Sequence, residues 1–365
     1  MPQSPIKVFL VEDSPVALEI LQRLLKSSPR ITVVGTARNG KEALDLIPKV
    51  QPDVICTDLH MAVMDGLELT QQVMAKNPIP ILAISNSVQA DDTNNIFQVL
   101  QAGALDIFPK PTTGRESDYE QVKAQLISKI EILSGVSVFT KPLKDLTAVE
   151  RRRNSTSVGK SSWMEATVEG ANNAKSSIRM VAVGASTGGP QALQKLFSQL
   201  PSHFPVPVIC TQHISEGFLQ GLVSWLATEC QVKVKIARDG ETPLAGTIYF
   251  APEKSHLEFN SLGKFTLNRA AGVMDGHRPS VTVMFRSAAQ FYGKGTIGVL
   301  LTGMGKDGAT GIQAIAQAGG TTIAQDEASS IVFGMPKEAI ALGAVQHILP
   351  IQNIAPFLLS RVFSK

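Results

Sequence analysis

Short apolar runs that each end in a polar residue constrain the fold of this 365-residue chain more than any other feature. In the N-terminal third such runs occupy residues 7–11, 53–57, 79–84 and 106–109. The segments between them place apolar residues at i, i+3 and i+4, as in residues 16–25, which is the pattern of an amphipathic helix. Because strands that alternate with helices form parallel sheets covered on both faces, the sequence predicts a doubly wound α/β fold.

The polar residues that end these runs are three acids, a serine and a lysine, which could form one binding site. Glu12 and Asp13 follow the first run, Asp58 and Ser85 end the next two, and Lys110 follows the fourth. The carboxyl ends of parallel strands meet at one edge of a sheet, so these five side chains are expected to share a pocket. We therefore predict a flavodoxin-like domain with a five-stranded parallel sheet in this part of the chain.

Three carboxylates in one pocket need a compensating positive charge, because like charges at close range raise one another's pKa. A hard divalent cation with oxygen ligands meets this need, and Mg²⁺ is predicted here. Together with Lys110, the ion would neutralise a phosphoryl group transferred to Asp58. The alternative is that each acid is a separate helix cap or a solvated loop charge.

A second set of strand ends lies in the C-terminal half. One apolar run ends at Ser186, in the Gly-x-Ser-x-Gly pattern of a nucleophile elbow, and Pro190 then begins a helix. Two further runs end near His213 and Asp307, which suits acyl transfer by an attacking serine, a basic histidine and an orienting acid. The order Ser, His, Asp argues against an α/β-hydrolase, in which the acid precedes the histidine. The alternative for Ser186 is a glycine turn with a solvated or capping serine.

Composition favours two soluble domains, because 365 residues correspond to roughly two domains of ordinary size. We place them at residues 5–135 and 178–365. Apolar residues make up 44% of the chain, and no apolar run approaches the ~20 residues of a membrane span, so membrane insertion is not expected. The three cysteines show no metal spacing and indicate reduced thiols in a cytoplasmic protein. The single basic cluster, at residues 151–153, does not predict nucleic-acid binding.

Residues 136–177 are rich in Ser, Asn, Thr, Lys and Arg and lack sustained apolar periodicity, which predicts a flexible linker. The segments that flank it carry opposite charges. Residues 1–135 hold 12 basic and 16 acidic side chains, whereas residues 178–365 hold 15 and 11. Opposite net charges favour docking of the two domains, although salt screens this attraction.

Several motifs in the C-terminal half resemble those of bacterial chemotaxis protein-glutamate methylesterases. They are Gly184-Ala-Ser-Thr-Gly-Gly189, Gln212-His213-Ile214, Ala251-Pro-Glu-Lys-Ser-His-Leu257, His277-Arg-Pro-Ser280, Leu301-Thr-Gly-Met-Gly-Lys-Asp-Gly308, Ala324-Gln-Asp326 and Phe333-Gly-Met-Pro336. The resemblance implies a doubly wound α/β methylesterase domain with Ser186 as nucleophile, His213 as base and Asp307 as orienting acid. The N–H groups of Thr187 and Met304 are the expected oxyanion hole.

Residues 5–135 resemble a response-regulator receiver domain in the same strand-end residues. The resemblance makes Asp58 the phosphoacceptor and assigns Glu12, Asp13 and Asp58 to the Mg²⁺ ion, which serves phosphorylation only. It also implies that Ser85 and Lys110 contact the phosphoryl group.

The chain departs from the two family patterns at three positions. Thr282 stands where methylesterases usually have an acid, which puts a local loop contact in question but not the triad. Ala62 stands where a proline usually follows the phosphoacceptor, and Ile107 occupies the usual position of an aromatic switch. The Lys110–Pro111 peptide bond is expected to be cis, as in other receivers.

Together the resemblances imply a phosphorylation-regulated serine esterase of chemotaxis adaptation. Its substrates would be glutamate methyl esters on methyl-accepting chemotaxis receptors, and the same site would deamidate receptor glutamines without any cofactor for hydrolysis. A chemotaxis histidine kinase would supply the phosphoryl group, and the unphosphorylated receiver would cover the active site. Two alternatives remain, namely a non-catalytic signalling adaptor and an esterase that serves the methylated receptor of a different pathway.

Overall fold

The computed structural model describes residues 4–85, 93–111, 116–138, 140 and 178–363. Almost all of the predicted linker, residues 136–177, lies outside these ranges. Two parallel sheets and one β-hairpin make up the strands of the described residues. No helix within these ranges combines the length and the hydropathy of a membrane span.

The first sheet is built from five strands: β1 (Ile6–Val11), β2 (Ile31–Ala37), β3 (Val54–Asp58), β4 (Ile81–Ser85) and β5 (Asp106–Pro109). They run parallel in the order β2-β1-β3-β4-β5, which confirms the predicted flavodoxin-like domain. The helices of this domain are α1 (Pro15–Lys26), α2 (Gly40–Val50), α3 (Gly66–Lys76), α4 (Thr93–Ala102) and α5 (Glu116–Leu133).

Three of these helices begin at side chains that cap a helix N-terminus. Ser14 accepts a hydrogen bond from the N–H of Ala17, and Pro15 occupies the first helical position of α1. Asn39 and Asp65 cap α2 and α3 in the same manner. Each such cap typically stabilises a helix by about 1 kcal/mol, so these short polar residues fix where the chain leaves the sheet edge.

The second sheet has seven strands: β6 (Met180–Ala185), β7 (Val208–Gln212), β8 (Lys233–Ile236), β9 (Thr247–Phe250), β12 (Thr296–Leu300), β13 (Thr321–Gln325) and β14 (His347–Leu349). The hairpin consists of β10 (His256–Phe259) and β11 (Phe265–Asn268). The helices are α6 (Gly189–Phe197), α7 (Leu219–Glu229), α8 (Val281–Tyr292), α9 (Ala309–Gln317), α10 (Met335–Ala341) and α11 (Ile351–Phe363). This domain is also doubly wound, as predicted.

The strand order of the second sheet is β14-β13-β12-β6-β7-β9-β8, so β6 lies at the centre between β12 and β7. The chain leaves β6 toward β7 on one side and later returns to β12 on the other. In open parallel sheets, functional groups gather beyond the carboxyl ends of strands at such a switch point. The three central strands therefore deliver their following residues to one place.

The two domains pack against each other through helices. The rings of Phe97 on α4 and Trp225 on α7 are both buried and stack with centroids 5.2 Å apart and an interplanar angle of 9°. The side chain of Gln191 on α6 donates a hydrogen bond of 2.7 Å to the carbonyl oxygen of Ala104. The N-terminal domain thus rests on α6, the helix that begins directly after the Ser186 turn.

Candidate active site and phosphorylation pocket

Ser186 lies in the turn between β6 and α6 and is half-buried. Its N–H donates to the carbonyl oxygen of Thr302 at 3.0 Å, and its carbonyl oxygen accepts the N–H of Gly189 at 2.8 Å. Gly188 adopts a φ of +76° here, and a Cβ at this position would lie 2.6 Å from Cβ of Ile331. The tight turn therefore requires glycine two positions after the serine, which explains the second glycine of the Gly-x-Ser-x-Gly motif.

His213 and Asp307 are in direct contact beyond the ends of β7 and β12. Nε2 of His213 lies 2.8 Å from Oδ2 of Asp307, and both side chains are buried. The other ring nitrogen, Nδ1, is buried and has no hydrogen-bond partner within the described residues. Ser186 consequently makes no hydrogen bond to His213 in this conformation. The contact between the predicted base and the predicted acid is in place, whereas the contact between the predicted nucleophile and the predicted base is not formed.

Four donors surround the carboxylate of Asp307. Its Oδ1 accepts hydrogen bonds from the Ser280 hydroxyl at 2.8 Å and the Thr282 N–H at 2.9 Å, while Oδ2 accepts the Val281 N–H at 2.8 Å in addition to His213. Three of these donors lie at the start of α8, where a helix favours negative charge.

Burial alone would raise the pKa of Asp307. The hydrogen bond and charge of His213 outweigh this effect, with help from the N–H and the hydroxyl of Thr282, and hold the pKa of Asp307 well below its ordinary value. The acid is therefore ionised throughout the pH range in which a histidine titrates.

Thr282, the departure from the methylesterase pattern, supplies the local loop contact that was in question. Its buried hydroxyl accepts the N–H of Gly308 at 2.7 Å, while its own N–H donates to Asp307. A neutral side chain thus fixes the loop that carries the acid and adds no second negative charge beside Asp307. One step further out, Nδ1 of the buried His256 accepts the Ser280 N–H at 3.1 Å.

His277 packs face to face with His213, with ring centroids 3.6 Å apart and an interplanar angle of 6°. Burial, together with the charge of His213, lowers the pKa of His277 to about 4. The nearby charge of Lys129, on α5 of the N-terminal domain, also lowers this pKa. A neutral ring therefore holds the face of His213 at neutral pH, and α5 lies close to this site.

The N–H groups of Thr187 and Met304 follow the ends of β6 and β12. Neither N–H donates a hydrogen bond within the described residues. Gly303 brings the two turns together, since a Cβ on it would lie 2.7 Å from Cβ of Ser186. The Sδ atom of Met304 contacts the Ser128 hydroxyl of α5 at 3.8 Å.

The strand-end residues of the first sheet also converge. Nζ of Lys110 contacts Oδ2 of Asp58 at 2.7 Å and Oε1 of Glu12 at 2.9 Å. Glu12, Asp13 and Asp58 each place a carboxylate oxygen within 4.8 Å of the others. Ser85 ends β4 and is buried, and its carbonyl oxygen accepts the N–H of Lys110 at 2.8 Å. The structure thus gathers all five residues at one edge of the sheet.

Burial and mutual contact shift the pKa values of the charged groups in this pocket. Burial raises the pKa of Glu12, and the nearby charge of Asp58 adds to this effect although Lys110 opposes it. Burial would lower the pKa of Lys110, but hydrogen bonds and charges of Asp58 and Glu12 raise it instead. Oε2 of Glu12 is buried without a hydrogen-bond partner in the described part of the chain. Lys110 therefore leaves one carboxylate oxygen of Glu12 without a partner.

One expectation about this pocket is wrong. The Lys110–Pro111 bond is not cis, and the cis X–Pro bond of the described residues is Arg278–Pro279. Lys110 reaches Asp58 and Glu12 without a cis peptide.

Comparison with known proteins bears on both sites. Residues 181–358 match the sequence family described as CheB methylesterase, and residues 8–117 match the response regulator receiver domain. A protein-glutamate methylesterase/protein-glutamine glutaminase of Nitrosospira multiformis is 39% identical over 357 residues, which is 98% of this chain and 97% of the relative. This chain belongs to the CheB methylesterase family.

Two other proteins illustrate the extent of the similarity. A protein-glutamate methylesterase/protein-glutamine glutaminase of Methanospirillum hungatei JF-1 is 39% identical and covers 97% of this chain and 98% of its own length. The crystal structure of the Thermotoga maritima CheB methylesterase catalytic domain is 37% identical, with a TM-score of 0.49, and covers 50% of this chain and 98% of its own. The nearly full-length similarity to the two methylesterase/glutaminases and the two family matches confirm the resemblance of both halves of the sequence to this family.

In this CheB family member, sequence reasoning missed two residues that hold the catalytic elements together. Gln212 donates from Nε2 to the carbonyl oxygens of both Ser186 and His213 at 2.8 Å. Ser280 caps α8 and also donates to Asp307. Gln212 directly precedes His213 in one methylesterase-like motif, and Ser280 ends another. Their place in these motifs was the sequence feature that could have identified them.

Proposed function

We propose that this protein is a phosphorylation-regulated serine esterase that hydrolyses glutamate methyl esters on chemoreceptors and deamidates receptor glutamines. The observation that carries the proposal is the convergence of Ser186, His213 and Asp307 at three adjacent central strand ends, with His213 bonded to the acid through one nitrogen. The unpartnered Nδ1 of His213 is the nitrogen left to act as base. An adaptor with a vestigial site would have no need for this buried, unpaired group.

In the proposed reaction the Ser186 oxygen attacks the ester carbonyl and His213 Nδ1 takes the hydroxyl proton. The tetrahedral intermediate places its negative oxygen at the N–H groups of Thr187 and Met304. His213 then returns the proton to the leaving oxygen, and methanol departs from the acyl-enzyme. Water attacks this acyl group by the same route and releases a receptor carboxylate. Glutamine follows the same steps with ammonia as the leaving group, and neither reaction uses a cofactor.

The test of this proposal is methanol release from methylated receptor, with a small neutral ester as a second substrate. Hydrolysis of both substrates would support the assignment. Hydrolysis of neither, by a folded and phosphorylated protein, would leave the adaptor as the better account. The proposed partners are methyl-accepting chemotaxis receptors and a chemotaxis histidine kinase, which places the proposed site of action in the cytoplasm.

The phosphorylation pocket fits a Mg²⁺ ion at Glu12, Asp13 and Asp58, because their oxygens approach within 4.8 Å and Oε2 of Glu12 lacks a partner. When bound, the ion would neutralise negative charge on the phosphoryl group and the carboxylates. Asp58 is the proposed phosphoacceptor, and Lys110 and Ser85 are proposed to contact the phosphoryl oxygens. Lys110 already bonds to Oδ2 of Asp58.

Asp58→Asn is expected to abolish phosphorylation by a small-molecule phosphodonor in the presence of Mg²⁺, because an amide cannot form the acyl phosphate. The wild-type chain should incorporate label only when Mg²⁺ is added. Asp53→Asn is the matched control, since Asp53 is an exposed acid that accepts the N–H of Lys7 at the opposite end of the sheet. Label retained in Asp58→Asn would show that another residue is the phosphoacceptor, with Asp13 as the next candidate.

We further propose that the unphosphorylated receiver covers the esterase cleft. Three contacts support this, namely the Phe97–Trp225 stack, the Gln191–Ala104 hydrogen bond and the Ser128–Met304 contact. The last of these reaches the side chain of an oxyanion-hole residue. Phosphorylation would then shift an equilibrium between closed and open arrangements.

Residues 178–365 alone are expected to hydrolyse ester faster than the unphosphorylated full chain, since removal of the receiver uncovers the cleft. A tenfold rise would correspond to a closed-state bias of about 1.4 kcal/mol. Initial rates of the fragment, the full chain and the phosphorylated full chain should be compared, with Ser186→Ala in the fragment as the blank. A fragment no faster than the unphosphorylated chain would exclude occlusion and indicate that the phosphorylated receiver contributes positively.

A further inference from the structure

Arg278 presents a cation that the fold holds in position at the edge of the catalytic cleft. Its Nη1 donates to the carbonyl oxygens of Arg269 at 3.1 Å and Ala271 at 3.0 Å. These two bonds use one nitrogen of the guanidinium. Nε and Nη2 make no hydrogen bond, and Arg278 forms no ion pair, within the described residues. The remaining donors therefore form a fork that is preorganised for a planar anion.

The position of this cation is tied to the catalytic base. Arg278 follows His277, whose ring stacks on His213, and Arg278 and His213 line the same cleft together with Ile214 and Leu219. The loop before Arg278 is also held, because Met274 and His277 exchange two backbone hydrogen bonds of 3.0 Å. The loop that carries the fork is thus held beside His213.

The nearby acids do not neutralise Arg278. Glu253 lines the same cleft, but its Oε1 accepts the N–H groups of Gly217 and Leu219 at 2.9 and 3.4 Å. Asp275 faces Lys306, at 3.8 Å. Neither acid forms an ion pair with Arg278 within the described residues, so the charge of Arg278 remains available for a bound molecule.

We propose that Arg278 is a specificity-determining residue that binds a carboxylate of the substrate segment beside the reacting ester. This inference rests on the proposed function. Each proposed turnover converts a neutral ester or amide into a carboxylate on the substrate. A segment with several modifiable side chains therefore becomes more acidic with each turnover. Arg278 would favour segments already processed at a neighbouring position over fully esterified ones, so that successive hydrolyses on one segment accelerate.

The spacing expected for this carboxylate follows from helix geometry. On a helical substrate the side chains three or four residues away from the ester lie about 5–6 Å from it between Cβ atoms. A side chain at that spacing stays on the same face and enters the cleft with the ester. Residues one or two positions away point elsewhere and would not reach Arg278.

The test uses the full chain, activated with a phosphodonor and Mg²⁺, on three versions of one receptor-derived segment. Each version has a single glutamate methyl ester, with Glu, Gln or Lys four residues away. For the wild type we expect kcat/KM for methanol release to fall in that order, by about tenfold from Glu to Lys. Arg278→Gln should remove the preference and Arg278→Glu should reverse it. Raised salt should reduce the preference, since Arg278 is exposed.

Arg269→Gln is the matched control, because Arg269 lies in the same exposed loop and only its backbone carbonyl holds Arg278. The Arg269→Gln variant should keep the wild-type order of kcat/KM on the three segments. Hydrolysis of a small neutral ester by the wild type reports on the esterase itself, because such an ester has no carboxylate for Arg278 to bind. Equal wild-type rates on the three segments, or an unchanged order in Arg278→Glu, would overturn the inference while small-ester hydrolysis upholds the esterase. Loss of small-ester hydrolysis in the wild type would instead overturn the proposed function. Should Arg278→Glu fail to fold, the inference is tested by the wild-type order of kcat/KM on the three segments and by its loss in Arg278→Gln.

Discussion

Ser186→Ala is expected to lower methylesterase turnover by a factor on the order of 10⁶, the loss measured when a serine hydrolase loses its nucleophile. The substitution removes one oxygen and leaves the turn intact. The N–H of Ser186 would still donate to Thr302, and its carbonyl oxygen would still accept from Gly189 and Gln212. The loss should therefore appear in kcat, with an unchanged melting temperature.

The measurement is methanol release from methylated receptor by the phosphorylated full chain. Ser224→Ala is the matched control, because Ser224 lies on α7 of the same domain and its hydroxyl accepts a hydrogen bond from Gln220 on the protein surface. It should turn over at the wild-type rate. Turnover by Ser186→Ala at the rate of Ser224→Ala would remove Ser186 from the mechanism.

Much of the fold could be predicted because strands and helices of an α/β protein carry strong local signals. Each apolar run of the first sheet became a strand, and Ser14, Asn39 and Asp65 capped the helices that follow. Parallel strands have a common direction, so residues after their carboxyl ends converge whatever the exact strand order. This geometry is why five scattered residues could be assigned to one pocket.

The parts that could not be predicted depend on contacts between distant segments. Nothing in the sequence near His277 indicates that its ring stacks on His213, 64 positions earlier in the chain. Likewise, the hydrogen bond from the Gly308 N–H to the Thr282 hydroxyl depends on how α8 packs beside β12. The absence of a Ser186–His213 hydrogen bond is a matter of conformation, which residue types do not determine. A sequence motif identifies the side chains that are present, whereas tertiary packing determines which of their atoms are in contact.

Asp307→Asn is expected to lower kcat by a factor on the order of 10⁴, the loss found when the acid of a serine protease triad becomes an amide. An ionised carboxylate can only accept a hydrogen bond, so in the wild type Nε2 of His213 must carry the proton shared with Oδ2 of Asp307. Nδ1 of the neutral ring is then unprotonated and able to act as base. An amide whose oxygen keeps the Ser280 and Thr282 donors would turn its NH₂ group toward His213. The ring would then accept at Nε2 and carry its proton on Nδ1, where the serine proton must go.

The tautomer separates this mechanism from simple loss of structure. Nitrogen NMR of His213 should show the neutral ring protonated at Nε2 in the wild type and at Nδ1 in Asp307→Asn. The NH₂ group would also face the Val281 N–H, so some loss of thermal stability is expected from two opposed donors. Asp239→Asn is the matched control, because exposed Asp239 accepts the Leu267 N–H, its one hydrogen bond among the described residues, and lies outside the triad. A folded Asp307→Asn protein with near wild-type kcat would show that Asp307 does not set the protonation of the base. The three donors at the start of α8 would then serve only to anchor that helix.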